Sequence, residues 1–191
     1  MILRSIALAS TLALAPVAAS ANWQLDPSHS AVVFEVEHLG YSNVTAVFPE
    51  VAADIESFDP ENLENASFSV TIDAGSITTF WDARDEHIRG GDFLDVANYP
   101  EITFVSGEIT RTGDDTAEIT GDLTIRDVTQ PVTLQAKINK IAPSPMNPDQ
   151  QVAGFTLTGE IDRTEFGVDA YAPAIGTVLP VTINVELNNE G

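Results

Sequence analysis

Trp81-Asp82-Ala83-Arg84-Asp85-Glu86-His87-Ile88-Arg89-Gly90-Gly91-Asp92-Phe93-Leu94 is a short charged stretch between two β-rich halves, and its reading sets the fold class. Asp82 suits an N-cap, and Asp85 and Glu86 fall in the first turn, where the helix dipole favours anions. His87 and Arg89 sit in the last turn, and Gly90-Gly91 supplies the stop. Trp81, Arg84 and Ile88 then share one face, so a ring, a guanidinium and an aliphatic group point the same way. The chain has only eight Lys and Arg, and two of them are here. The plainest reading is a connector helix that plugs a core with its apolar side and leaves its charges in solvent.

Outward from this segment, alternation with a period of two dominates in both directions. On the N-terminal side, Val32, Phe34, Val36 and His38 alternate with Val33, Glu35 and Glu37. The next run carries Val44, Ala46 and Phe48, then changes phase after Pro49 to Val51, Ala53 and Ile55, which suggests a bulge at the proline. Phe68, Val70 and Ile72 follow. On the C-terminal side come Ile102 and Phe104, then Ala117 to Ile125, Val132 to Ile138, Ala153 to Ile161, and Leu179 to Leu187. Ala142 to Pro148 holds three prolines and reads as a loop. The pattern predicts an all-β protein: an eight-stranded antiparallel barrel with one short helix between strands. A two-sheet sandwich is the competing architecture, and strand length favours the barrel.

The first residues read as a leader. Arg4 gives a positive n-region, Ile6 to Leu14 an apolar h-region, and Ala19-Ser20-Ala21 a cleavage signal. The expectation is a signal peptide over 1–21, one domain over 22–191, and a secreted or periplasmic protein. No later apolar run is free of charges, so no stable membrane insertion is expected. The chain has no Cys, so stability must come from packing and backbone pairing. Losing Arg4 with the leader leaves seven basic residues against 29 acidic ones, a formal charge of −22. That field has the wrong sign for nucleic acid and repels anionic membrane surfaces.

The inward positions mix aromatics (Phe34, Phe48, Phe68, Phe104, Phe155) with small residues (Ala53, Gly121, Ala136, Gly159). Small inward residues favour a cavity, although the same mixture fits a tapering solid core. The histidines, His29, His38 and His87, form no H-x-x-x-H or H-E-x-x-H pair, so each reads as structural and no metal is expected. His38 is aimed inward at the end of an apolar face. Neighbouring carboxylates such as Asp82, Asp85 and Glu86 are expected by composition, with solvation as their default. No nucleophile elbow, P-loop or dinucleotide fingerprint is present, so no cofactor is expected. Arg163 ends an apolar strand, where it would neutralise a buried carboxylate or hold a ligand head.

Several motifs occur together in order. Asp26-Pro27-Ser28-His29-Ser30 leads into Phe34-Glu35-Val36-Glu37-His38-Leu39-Gly40, and Ala83 to Arg89 is followed by Asp92-Phe93-Leu94-Asp95-Val96 and Tyr99-Pro100-Glu101-Ile102-Thr103-Phe104. Gly121-Asp122-Leu123-Thr124-Ile125-Arg126 and Arg163-Thr164-Glu165-Phe166-Gly167-Val168 complete the set. In this order the chain resembles the YceI family of lipocalin-like, polyisoprenoid-binding proteins over nearly all of its mature length. The resemblance implies an elongated barrel whose apolar tunnel holds an isoprenoid-type or other amphiphilic chain. It also implies an exported protein, often a homodimer, with no established enzymatic activity. Ala46 stands where a glycine is expected, which would narrow or stiffen the tunnel. Asp127 replaces a turn glycine after Arg126, a substitution that Asp tolerates.

The expected function is therefore binding of a polyisoprenoid or similar lipid, as a periplasmic carrier or scavenger. Phe34, Val36, Phe48, Phe68, Phe104, Leu123 and Phe155 would line the tunnel. His38, Trp81, Arg84, His87, Ile88, Phe93 and Phe166 would complete the site toward its mouth. The −22 charge favours a neutral, quinone-like head, while screening over about 8 Å leaves room for an Arg84–phosphate contact. One alternative is a lipid hydrolase or isomerase with His87 as base, oriented by Asp85 or Glu86. Another is a structural stress-response protein with a solid core.

Overall fold

The computed structural model describes residues 22–189; the leader read at 1–21 lies outside the described residues. The described chain forms ten strands and one α-helix. The strands are β1 (Trp23–Leu25), β2 (Ala31–His38), β3 (Ser42–Phe48), β4 (Val51–Ser57), β5 (Ser67–Asp73), β6 (Glu101–Arg111), β7 (Thr116–Ile125), β8 (Val128–Pro143), β9 (Gln151–Asp162) and β10 (Val178–Asn189), with α1 (Asp82–Arg89) between β5 and β6. All pairings are antiparallel, in the order β3-β2-β10-β9-β8-β7-β6-β5-β4, with β1 also on β10. One continuous sheet curls into a half-barrel, so the sandwich alternative is excluded.

The strand count is ten rather than eight for two physical reasons. Pro49 does not bulge a single strand. Lacking an N–H, it ends β3, and β4 begins two residues later on the opposite edge of the sheet. Pro49–Glu50 is thus the corner that brings the two edges together. The second addition, β1, is too short for a periodic signal. It pairs Trp23 to Leu25 with Asn189 to Leu187 and packs against β4, covering the seam at one end. Further along the seam, Val47 of β3 exchanges two 2.9 Å backbone hydrogen bonds with Thr78. Exposed edges are thereby reduced.

The helix forms where expected but starts one residue earlier in its capping. Trp81, not Asp82, is the N-cap: its carbonyl accepts from the N–H groups of Arg84 (3.0 Å) and Asp85 (3.1 Å), which leaves Asp82 in the first turn. Gly90 ends the helix. At the β7–β8 turn the left-handed backbone falls on Arg126 (φ 57°), not on Asp127.

Packing changes the meaning of the small inward residues. A Cβ on Gly121 would lie 2.5 Å from the Val105 carbonyl oxygen and against the Phe104 ring, and one on Gly159 would lie 2.7 Å from Leu134 Cδ2. These glycines are covered by larger neighbours across the strand pair and do not open space. Ala53 and Ala136, by contrast, do border the internal cavity, as does Ala46, which is only 1% exposed and pairs with Phe34.

Candidate ligand-binding cavity

The apolar faces of the curled sheet enclose a cavity of about 660 Å³, within the roughly 300–1,000 Å³ of small-molecule sites. Phe34, Val36, Phe48, Phe68, Phe104, Leu123 and Phe155 all line it. Phe34 stacks on Phe48 with centroids 5.5 Å apart, and Phe68 lies 6.1 Å from Phe104. At one end, the floor, Phe58 and Phe155 line the cavity edge-on to each other at 5.9 Å, and Trp23 backs Phe58 edge-on at 4.9 Å.

Three segments frame the other end. His38 ends β2 and Leu39 begins the β2–β3 turn. Arg84, His87, Ile88 and Phe93 come from α1 and the turn after it, and Tyr171, Ala174 and Ile175 from the loop before β10. His87 stands edge-on to Phe93 (5.2 Å) and Tyr171 (6.0 Å), while Phe93 and Tyr171 stack at 6.0 Å. Sequence periodicity could not find Leu39, Tyr171, Ala174 or Ile175, because they lie in connections where no alternation marks a face.

Two expected site residues are placed elsewhere. Trp81 is 62% exposed, outside the helix, and its ring meets the Arg84 guanidinium at 5.4 Å, so it touches the site only through Arg84. Phe166 is 1% exposed and sits in the short 3₁₀ turn Arg163–Phe166, which packs on β8, so it is part of the solid wall. Arg163 lines the cavity, and its guanidinium is engaged by backbone carbonyls rather than by a buried carboxylate. Its Nε and Nη2 donate to the carbonyls of Gly176 and Ile175 at 2.9 Å, and its Nη1 donates to Val168. Arg163 thus holds the Tyr171 loop in place by backbone contacts. Burial pushes its guanidinium down from its ordinary value, and Asp162 and Asp169 oppose that.

The helix is docked by a compact polar network. Asp85, 4% exposed, accepts from the Thr79 N–H (2.8 Å) and from the Thr79 hydroxyl. Arg84 donates through Nε to Thr79 Oγ1 and through Nη2 to the Thr79 carbonyl, both at 2.7 Å. Arg89 donates to the carbonyls of Gly75 (2.7 Å) and Ile77 (2.6 Å). Burial alone pushes the Asp85 carboxyl up, but the Thr79 and Thr78 hydrogen bonds and the Arg89 charge together hold it below its ordinary value.

This arrangement engages one of the two carboxylates that the hydrolase reading offers to His87. Asp85 is committed to Thr79, Glu86 is exposed, and His87 Nε2 lies 3.6 Å from an Asp92 carboxylate oxygen. The N-terminal motif also acquires a structural role. His29 Nδ1 lies 2.9 Å from Asp26 and 3.8 Å from Glu186, and Asp26 also accepts from Ser28 and Asn188. The Ser28 hydroxyl and His29 hold Asp26 well below the usual carboxylate range, and the Asp26 bond raises His29. Asp26, His29 and Glu186 bring three potential ligand atoms within 4.8 Å of one another; Asp26 and His29 hydrogen-bond each other, and Glu186 stands 3.8 Å from His29.

The profile of the YceI-like domain matches residues 23–187, from the start of β1 almost to the end of β10. The chain belongs to the YceI-like family. Among similar relatives, a UPF0312 protein of Pseudomonas savastanoi is 34% identical over 191 residues, covering 99% of this chain and 95% of the relative. A Vibrio parahaemolyticus UPF0312 protein is 33% identical over 96% of this chain and 94% of its own. The crystal structure of a Campylobacter jejuni YCEI protein superposes with a TM-score of 0.73 at 29% identity, covering 81% of this chain and 90% of that one. A Saccharophagus degradans domain described as polyisoprenoid-binding shares the YceI-like fold, with a TM-score of 0.69 at 14% identity over 88% of this chain and 99% of its own.

Proposed function

We propose that this chain binds a polyisoprenoid or similar long-chain amphiphile in the cavity and serves as an exported, periplasmic carrier or scavenger rather than an enzyme. The carrying observation is the 660 Å³ apolar cavity, walled by aromatic and aliphatic side chains from nearly every strand. Tight binding requires only apolar burial, at about 25 cal/mol per Å², in excess of the ordering costs of a flexible tail. The polyisoprenoid-binding description of the S. degradans domain supports the same ligand class. The leader-like residues 1–21 support export.

Native mass spectrometry of protein purified from its own host, and of the same protein after incubation with a prenylquinone, tests the reading. A one-to-one lipid adduct is expected in at least one sample. Ala53→Phe, which puts a ring into the cavity wall, should lower prenylquinone affinity by about tenfold or more. No adduct in either sample would overturn the assignment.

A further inference from the structure

The cavity and the exterior of this protein differ in charge. The sequence holds 29 Asp and Glu against eight Lys and Arg, yet among the described residues no carboxylate lines the cavity. Its charged and titratable lining consists of Arg84, Arg163, His38, His87 and Tyr171. Arg163 is committed to three backbone carbonyls of its own loop. Arg84 is not committed to the same degree.

A guanidinium has five N–H groups in a fixed fork. Thr79 takes two from Arg84, one from Nε and one from Nη2. That edge contact leaves three N–H groups, with at least one on each terminal nitrogen. Among the described residues no carboxylate lies within ion-pair distance of Arg84. Asp85, its nearest neighbour through Thr79, already accepts from both the Thr79 N–H and hydroxyl. The Trp81 ring, 5.4 Å away, further fixes the guanidinium. A half-buried cation with a paired set of open donors beside a greasy chamber matches two oxygens on one atom.

We propose that the cavity prefers amphiphiles with an oxyanion head, a carboxylate or a phosphate monoester, bound end-on by Arg84 while the tail fills the aromatic chamber. This rests on the cavity being a lipid site and deepens that reading by naming the head. It departs from the neutral head that net charge alone suggests, because the charge that counts is the one lining the chamber.

The test is displacement of bound Nile red by hexadecanoate, hexadecyl phosphate and hexadecan-1-ol, each below its aggregation limit at pH 7.5. At least one anion should bind about tenfold or more tightly than the alcohol, and the better of the two tells whether a planar or a tetrahedral head is preferred. Arg84→Gln should abolish that ratio, the anions losing about tenfold more affinity than the alcohol, while Arg84→Lys should retain part of it. A purely structural Arg84 would lower all three affinities together. Equal binding of anions and alcohol by the unaltered protein, or a ratio that survives Arg84→Gln, overturns the head assignment alone. The unaltered protein decides this even where a variant fails to fold. If neither dye nor any amphiphile binds, the lipid-site reading falls, and the head assignment with it.

Discussion

Asp85 is the residue on which the rim of the cavity depends. It lies buried against Thr79 within reach of the Arg89 charge, and its folded pKa is held below the ordinary 3.8. Asp85→Ala leaves the Thr79 N–H and hydroxyl without their acceptor, and should lower stability by about 2–3 kcal/mol in urea unfolding at pH 7. The sign with pH follows from the depressed pKa. The stabilisation is complete above the unfolded value of 3.8 and is lost as pH falls through the folded value. The difference between the two proteins should therefore shrink in strong acid, and an unchanged difference at pH 2 would refute this account. In sequence, Asp82, Asp85 and Glu86 look alike, three carboxylates in one charged run. Only the approach of Thr79 from the segment before the helix separates the buried one from the solvated pair. Phe166 and Trp81 show the same limit: an aromatic near a mouth motif does not reveal which way it faces.

Among the elements, the long strands were legible because one face of each meets apolar space, and that imposes a period of two. The corner and the seam were less so. Pro49 marks a discontinuity in the pattern, but a bulge and a strand end produce the same phase change. What distinguishes them is that β3 and β4 pair with different partners at opposite edges of the sheet. β1, at three residues, carries no period, although it pairs with β10 and packs against β4. Trp23 is 5% exposed, packs edge-on against Phe58, and belongs to a cluster with Ala153 and Leu187. Trp23→Ala should cost about 3–5 kcal/mol in urea unfolding, and it should also open the floor of the cavity. The second effect is separable: at a temperature where the variant remains folded, bound Nile red should show a more water-like emission than in the unaltered protein. A destabilised variant with unchanged dye emission would mean that β1 staples the seam without closing the chamber.

For the whole molecule, two fields act on an approaching ligand and they oppose each other. The chain carries a formal charge of −21, which repels an anion over long range, while the chamber presents Arg84 and, among the described residues, no carboxylate at short range. The Debye length falls from about 30 Å at 0.01 M salt to about 8 Å at 0.15 M, so added salt removes the repulsion before it reaches a half-buried contact. The association rate of hexadecanoate should rise severalfold across that range in stopped-flow measurements, with the dissociation rate nearly unchanged. Hexadecan-1-ol has no charge to steer, so its association rate should stay flat and serve as the control for salt effects on the tail. The sign of the slope is what discriminates. A hexadecanoate rate that falls with salt would mean that a cationic patch guides the approach, contrary to the distribution of charge on this fold, whereas a rising rate places the only attraction for the head inside the mouth.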